Sequence, residues 1–122
     1  MSSASGGLDL DALRRAIESR DPAALTALYA SDADLVLIDR DHPPSHPTHL
    51  HGARELRGMF DELCGREMSH HVTHAVASPG AIAYTEMCTY PDGTQVFSAN
   101  VCDVRDGRIF HHEMVQAWDE AG

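Results

Sequence analysis

The chain has 122 residues and a formal net charge of −10, from 9 basic and 19 acidic residues, and it contains nine histidines. This length favours one domain with a substantial core, and no apolar run reaches the about 20 residues of a membrane helix. The acidic balance argues against nucleic acid and anionic membrane surfaces as partners, because both require a basic footprint on the protein.

The chain begins with a predicted disordered tail and two helices. Residues 1–7 lack the charged and apolar regions of a signal peptide, which predicts a tail. Apolar residues at helical spacing predict a helix over residues 8–20, and Asp9 is suited to cap its start. Asp21 and Pro22 are typical of the N-cap and the first position of a second helix.

A short strand, a loop and a third helix follow in the middle of the chain. The apolar run over residues 35–38 predicts the strand. Three prolines then exclude regular helix from residues 39–52. Residues 53–64 carry a narrow apolar stripe that includes Met59 and Phe60, which predicts the third helix.

Turn signals in the C-terminal half of the chain predict antiparallel strands. Gly-containing turn signals at residues 78–80, 91–93 and 105–107 predict hairpins with three-residue loops. Helices followed by antiparallel strands predict an α+β fold, with the helices on one face of a curved sheet. The predicted pairs beside the loops are Ala77 with Ala81, Tyr90 with Thr94, and Val104 with Arg108.

This register places large apolar residues and several polar side chains on one face of the sheet, which we take as the inner face. An apolar wall with converging polar groups is typical of a small-molecule pocket. A two-residue turn at Asp106–Gly107 would instead bring His111 and Glu113 inward. The inward polar residues are His70, His74, Tyr84, Glu86, Asn100, His112 and Gln116.

Four features resemble a known superfamily: the helix–Asp-Pro–helix start and the segments 27–35, 51–56 and 106–109. In these the chain is similar to nuclear transport factor 2-like proteins, and within them to the SnoaL-like group, which includes polyketide cyclases and ketosteroid isomerases. The resemblance implies a cone-shaped, cystatin-like roll, in which a strongly bent antiparallel sheet wraps around the three helices. It also implies a pocket at the open end and a homodimer.

Two catalytic candidates come from this resemblance. Asp39 is the nearest match to the general base of ketosteroid isomerases; the alternative is a strand-end Asp bonded to its own loop. Asn100 falls where those isomerases place an acid that donates to the oxyanion, and an amide can also donate. The first helix contains no Tyr to match the family's partner donor, which argues against steroid isomerisation.

Glu86 and His74 are the catalytic candidates that arise from the residues themselves. A carboxylate in mid-strand on the inner face requires a partner or a proton. The predicted register places His74 near it, and a His–Glu pair is suited to acid–base chemistry. The alternative is a buried structural hydrogen-bond network.

The remaining pocket residues are predicted to contact a substrate. His49 belongs to the proline-rich loop, which is either a lid over the pocket or a solvated surface loop. A metal would require His74, His112 and Glu86 to converge, or histidines from different elements to do so. The chain has no HExxH spacing, so we predict neither a metal nor an organic cofactor. The predicted contacts are Tyr84, His70, His112, Gln116, Trp118, His49, Met59 and Phe60.

These observations predict a small-molecule enzyme that performs proton-transfer chemistry on a hydrophobic carbonyl or polycyclic compound, by isomerisation, cyclisation or dehydration. The alternatives are a binding protein without turnover, a dimerisation module, and a metal-binding protein. The outer sheet face is apolar enough to expect a second copy of the chain as partner. Three widely spaced cysteines, Cys64, Cys88 and Cys102, form no disulfide framework and favour a reducing cytoplasm.

Overall fold

Three helices occupy the N-terminal half of the computed structural model, which describes residues 7–120. The carboxylates of Asp9 and Asp21 accept hydrogen bonds from backbone N–H groups in the first turns of the first two helices, and Pro22 opens the second, as predicted. The predicted tail lies outside the described residues except for Gly7. The helices are α1 (Leu10–Glu18), α2 (Pro22–Ala27) and α3 (Gly52–Gly65).

Within the described residues, six strands form one curled, unclosed sheet in the order β2-β1-β6-β5-β4-β3. The fold is α+β, as predicted, but the sheet is not wholly antiparallel, because β1 runs parallel to β6. The first strand begins at Tyr29 rather than at Leu35, and β2 lies in a segment that was predicted as loop. The strands are β1 (Tyr29–Ile38), β2 (Thr48–His51), β3 (Ser69–Ser78), β4 (Ala81–Thr89), β5 (Gln95–Arg105) and β6 (Arg108–Trp118).

The β4–β5 hairpin has the predicted register. The backbone N–H of Tyr90 donates to the carbonyl of Thr94 over 2.9 Å, which closes the three-residue loop. Gly93 in this loop has φ +91°, a left-handed conformation that favours glycine. Glu86 therefore pairs with Ser98 and lies on the inner face, as predicted.

The β3–β4 hairpin differs from the prediction. Ala81 pairs with Ser78 and not with Ala77, so the turn has two residues rather than three. Thr73 is an extra residue in β3, because the pairing is regular on either side of it. This bulge turns His74 to the outer face, where it is exposed, so its predicted inward position is wrong.

The β5–β6 hairpin differs from the prediction in its turn and in a bulge, and the two differences compensate each other. Asp106 and Gly107 both have positive φ, as in a two-residue type I′ turn, and Val104 pairs with Ile109 rather than with Arg108. Phe110 is then an extra residue that restores the original alternation. His112 consequently faces inward as predicted, although the loop from which we predicted it does not exist.

The helices cover the inner face of the sheet and form the main core with it. Leu13, Leu35, Leu56, Ile82 and Ile109 expose at most 1% of their surface. Each such side chain contributes about 1.5–3 kcal/mol through burial. None of the described helices is long and apolar enough to cross a bilayer.

Candidate functional site

Two spaces lie between the helices and the inner face of the sheet. The inner cavity has a volume of about 30 Å³, and its polar lining comes from five side chains. The outer chamber has a volume of about 260 Å³ and lies where β1 and β6 end. Leu63 and Met114 line both spaces, so they form the partition between them. The polar residues of the inner cavity are Tyr29, His70, Tyr84, Glu86 and His112.

Glu86 is the only carboxylate among the residues that line the inner cavity within the described chain, and two donors hold one of its oxygens. Nδ1 of His70 lies 2.9 Å from Oε2 of Glu86, and the thiol of Cys88 donates to the same oxygen over 3.1 Å. Nδ1 of His70 also lies 3.1 Å from the sulfur of Cys88. The three side chains therefore form a buried triangle, which we call the Glu86 cluster.

The backbone register brings these three residues together. Glu86 and Cys88 are two residues apart on β4 and so share a face. His70 on β3 lies directly opposite Cys88. The cluster therefore depends on strand pairing and not on a mobile loop.

Two polar atoms of the Glu86 cluster have no hydrogen-bond partner in residues 7–120. Nε2 of His70 is buried and unpartnered. Oε1 of Glu86 also makes no hydrogen bond, and the Glu86 side chain keeps 12% of its surface exposed, against 3% for His70. Buried polar groups are normally paired, so this cluster has unused hydrogen-bonding capacity.

A second polar network lies beside the first and is closed. Nε2 of His112 lies 2.8 Å from Oδ1 of Asn100, and Nδ1 lies 2.8 Å from the hydroxyl of Tyr29. Because Oδ1 only accepts, the His112 proton belongs on Nε2, and Tyr29 donates to Nδ1. The Asn100 amide donates to Ser98 Oγ over 3.0 Å and to the Tyr84 carbonyl over 3.4 Å. We call these residues the His112 network.

Burial determines the protonation states in and beside this network. It lowers the pKa of His112 to about 3, with a further contribution from neighbouring His111, so the imidazole is neutral. Burial also raises the pKa of Tyr84 well above its usual value. The hydroxyl of Tyr84 therefore stays neutral, and it has no hydrogen-bond partner among the described residues.

The outer chamber contains four of the predicted residues: Asp39, Met59, Gln116 and Trp118. The carboxylate of Asp39 accepts from the backbone N–H of Asp41 over 3.0 Å and lies 2.8 Å from Nδ1 of His42. These contacts match the alternative interpretation of Asp39 as a residue bonded to its own loop.

The structure does not bring all predicted residues together. His70, Tyr84, Glu86, His112 and Phe60 line the inner cavity. His74 lies on the outer face of the sheet, and His49 is exposed on β2 and lines neither space. Asn100 is buried beside the cavity without lining it, and both of its donor contacts are internal.

Sequence reasoning missed two residues of this region. From the sequence, Cys88 was used only to argue against a disulfide framework, although the predicted register already paired it with His70 and placed it two residues after Glu86. Tyr29 was not singled out from the sequence, but it begins β1, and its hydroxyl reaches His112. The sequence contained a signal for Cys88 and none for Tyr29.

Comparisons with known proteins give the family and the fold. The family model of the SnoaL-like domain matches residues 10–112. A proposed ketosteroid isomerase from Kribbella flavida has a TM-score of 0.73 at 18% identity, over 93% of this chain and 76% of its own. IdmH, a proposed polyketide cyclase from Streptomyces antibioticus, has a TM-score of 0.65 at 24% identity, over 88% of both chains.

A third similar structure is an NTF2-like protein of unknown function from Mesorhizobium loti. It has a TM-score of 0.73 at 18% identity, over 97% of this chain and 93% of its own. At these identities the three likenesses show the fold, which agrees with the predicted nuclear transport factor 2-like, cystatin-like roll. A search of curated proteins gave no match.

Proposed function

Because this chain belongs to the SnoaL-like domain family, we propose that it is a small-molecule isomerase or cyclase with Glu86 as its general base. The observation that supports this most is the asymmetric bonding of the carboxylate. Oε2 accepts from His70 and Cys88, whereas Oε1 has no partner in the described part of the chain. The carboxylate is thus oriented by one oxygen and free to accept a substrate proton with the other.

Tyr84 is the proposed donor to the developing oxyanion. Its neutral hydroxyl lines the same cavity and has no other partner among residues 7–120. Glu86 takes a proton from the carbon beside the carbonyl, and the electron pair moves onto the carbonyl oxygen, which Tyr84 stabilises. Protonated Glu86 then returns the proton to another carbon of the conjugated enolate in isomerisation. In cyclisation the enolate carbon attacks a second carbonyl carbon, and the oxygen of that carbonyl takes the proton from Glu86.

The two spaces suggest how a substrate is held. About 30 Å³ accommodates roughly one water molecule, so the body of a ligand belongs in the outer chamber. There Trp118 offers an aromatic surface for a flat or polycyclic compound. Leu63 and Met114 must move for the reacting carbon to reach Glu86, and Met side chains adapt readily. We therefore propose a hydrophobic carbonyl or polycyclic substrate.

We also propose that the chain forms a homodimer through the outer sheet face. Phe97 is 39% exposed, Val101 54% and Val115 50%, and these residues lie on neighbouring strands. Sedimentation at several concentrations tests this, because Val101→Glu should shift a dimer to monomer. An unchanged monomeric mass for the wild type would contradict it.

A reducing cytoplasm is our proposal for the location of the protein. Its three cysteines are unpaired, and Cys88 and Cys102 are buried as thiols. Immunogold or fractionation of the source cells, with markers for each compartment, tests this proposal, and recovery outside the cytoplasm would contradict it.

Deuterium exchange in a panel of ketones and β-diketones tests the proposed chemistry. Each compound is incubated with the full chain in D₂O, and the loss of proton signal beside the carbonyl is followed by NMR. We expect catalysed exchange with at least one class of compound. Glu86→Gln should reduce the rate by about 10²–10⁴-fold, which is the usual contribution of a general base.

Two variants complete the experiment. Tyr84→Phe should reduce the exchange rate by about 10²–10³-fold, as expected for an oxyanion donor. The exposed change Glu67→Gln, which lies outside the cavity and the chamber, should leave it unchanged. Exchange that survives Glu86→Gln would refute the assigned base. Tight binding of a panel member without exchange would favour the non-catalytic binding protein.

A further inference from the structure

The Glu86 cluster joins three different metal-ligating atoms within hydrogen-bond distance. An imidazole nitrogen, a carboxylate oxygen and a sulfur lie 2.9–3.1 Å apart in all three pairs. All three residues are buried. Among the described residues this is the one group of this kind whose donor atoms converge.

We propose that His70, Glu86 and Cys88 form a binding site for a thiophilic divalent transition metal, of which Zn²⁺ is the representative. This site goes beyond the function proposed above and does not depend on it. The metal and the protons compete for the same three atoms. Metal binding would therefore prevent Glu86 from acting as a base.

The donor set determines the class of metal. Sulfur and imidazole nitrogen favour Zn²⁺ and similar ions over Mg²⁺ and Ca²⁺, which prefer oxygen ligands. Tetrahedral Zn²⁺ with bonds of about 2.0–2.3 Å keeps its ligand atoms roughly 3.3–3.6 Å apart. The three atoms therefore need to separate by only a few tenths of an ångström.

Charge balance also favours this occupant. A divalent ion with one carboxylate and one thiolate has no net charge, so the buried site avoids the cost of an uncompensated charge. A thiol must lose its proton before it can bind a metal ion. Metal binding therefore releases that proton, and binding should weaken as the pH falls.

The inner cavity provides space for a fourth ligand. It borders His70 and Glu86 and has a volume of about 30 Å³, which is enough for one water molecule. Three protein ligands and a water are the usual set for Zn²⁺ that is not purely structural. The strand register holds the protein ligands in place before the metal arrives.

Titration of the untagged, chelator-treated full chain with Co²⁺ tests the inference. Cobalt bound by a thiolate gives an intense near-ultraviolet charge-transfer band, which histidine and carboxylate ligands do not give. We expect this band to saturate at one Co²⁺ per chain, with release of the Cys88 proton. Addition of Zn²⁺ should abolish it by displacement.

Matched cysteine variants identify the ligand. Cys88→Ser should abolish the band, whereas Cys102→Ser, which removes another buried thiol on the inner face, should preserve it. If Cys88→Ser does not fold, Glu86→Gln retains the thiol and should weaken Co²⁺ binding at least about tenfold. A band that persists in Cys88→Ser, or is absent from the wild type, would overturn the proposal.

A loop variant identifies adventitious binding. The exposed His42, His46, His49 and His51 can bind Co²⁺ without a thiolate. His46→Ala combined with His49→Ala should leave the band unchanged. Binding that is lost with these histidines and shows no band would also overturn the proposal. These measurements use no substrate, so their failure leaves the exchange experiment on ketones independent.

Discussion

Two polar groups lie side by side within the same sheet, and they differ in one respect. In the His112 network every buried side-chain nitrogen and oxygen atom has a hydrogen-bond partner among the described residues, from Tyr29 through His112 to Asn100 and Ser98. In the Glu86 cluster one oxygen of Glu86 and one nitrogen of His70 remain unused. A buried network whose polar atoms are all hydrogen-bonded stabilises one conformation. Unpaired buried polar atoms lower the stability of the fold, and a functional role can explain why they are present. The difference supports our proposal that the His112 network stabilises the fold and that the Glu86 cluster carries out the chemistry.

Removal of the His112 imidazole should have the largest effect on stability. In His112→Leu the Tyr29 hydroxyl and the Asn100 Oδ1 lose their partners, and each unsatisfied buried group costs about 1–3 kcal/mol. We expect the free energy of unfolding to fall by about 2–5 kcal/mol in urea denaturation. The exposed control His71→Leu should change it by less than about 0.5 kcal/mol. Equal effects would contradict the closed network.

The pH dependence of the unfolding free energy should show the lowered pKa of His112. The folded pKa of His112 is lowered to about 3, whereas an unfolded histidine titrates near about 6.5. Between these values the unfolded chain binds a proton that the folded chain excludes, so stability falls as the pH falls. From about pH 6.5 to about pH 5 this group should cost about 1.5–2 kcal/mol.

A variant isolates that contribution. His112→Gln removes the titrating group, so its unfolding free energy should depend less on pH than that of the wild type, by the same amount. His71→Gln is the matched control, because His71 is exposed. An unchanged pH slope in His112→Gln would show that the folded protein accommodates the proton elsewhere.

Shortening a side chain in the partition should test whether Glu86 is reached from the outer chamber. Leu63→Ala removes half-buried volume between the inner cavity and the outer chamber, so we expect a loss of about 1–2 kcal/mol in urea denaturation. The same variant should bind bulkier ketones more tightly and exchange them faster, because Glu86 becomes reachable. An unchanged ligand range would show that Leu63 does not control access.

Glu86→Gln should have the smallest effect on stability. The amide oxygen of Gln still accepts from His70 and Cys88, so the hydrogen bonds of the cluster survive. We expect a change below about 1 kcal/mol in urea denaturation, together with the loss of exchange activity described above. A large destabilisation would indicate that Glu86 is a structural residue, like His112.

The fold could be predicted because its signals are local. Capping residues such as Asp9 and Asp21 define helix starts within a few positions, and the 91–93 turn determines the β4–β5 register. Glu86 was found for this reason, because its inward direction depends only on that hairpin. β2 was missed because prolines precede it, and its pairing with β1 is a contact between distant segments.

The site could be predicted only in part, because a single extra residue in a strand moves the side chains that follow it to the opposite face of the sheet. The bulge at Thr73 turns His74 away from Glu86, whereas His70 keeps its predicted place opposite Cys88 and is the partner of Glu86. Nothing in the alternation of β3 indicates where an extra residue is accommodated, since the neighbouring strand determines the bulge. The turn before β6 was predicted one residue too long, and the extra residue Phe110 compensates for this error. His112 therefore faces inward as predicted, although the sequence did not indicate the bulge.

Histidine side-chain NMR on ¹⁵N-labelled protein tests the central claim most directly, with and without the ketone that exchanges fastest. We expect a neutral His112 with its proton on Nε2 and signals that do not respond to the ligand. We also expect a His70 with its proton on Nδ1 and signals that shift when the ligand binds. A His112 ring that carries its proton on Nδ1, or that responds to ligand while His70 does not, would contradict the central claim.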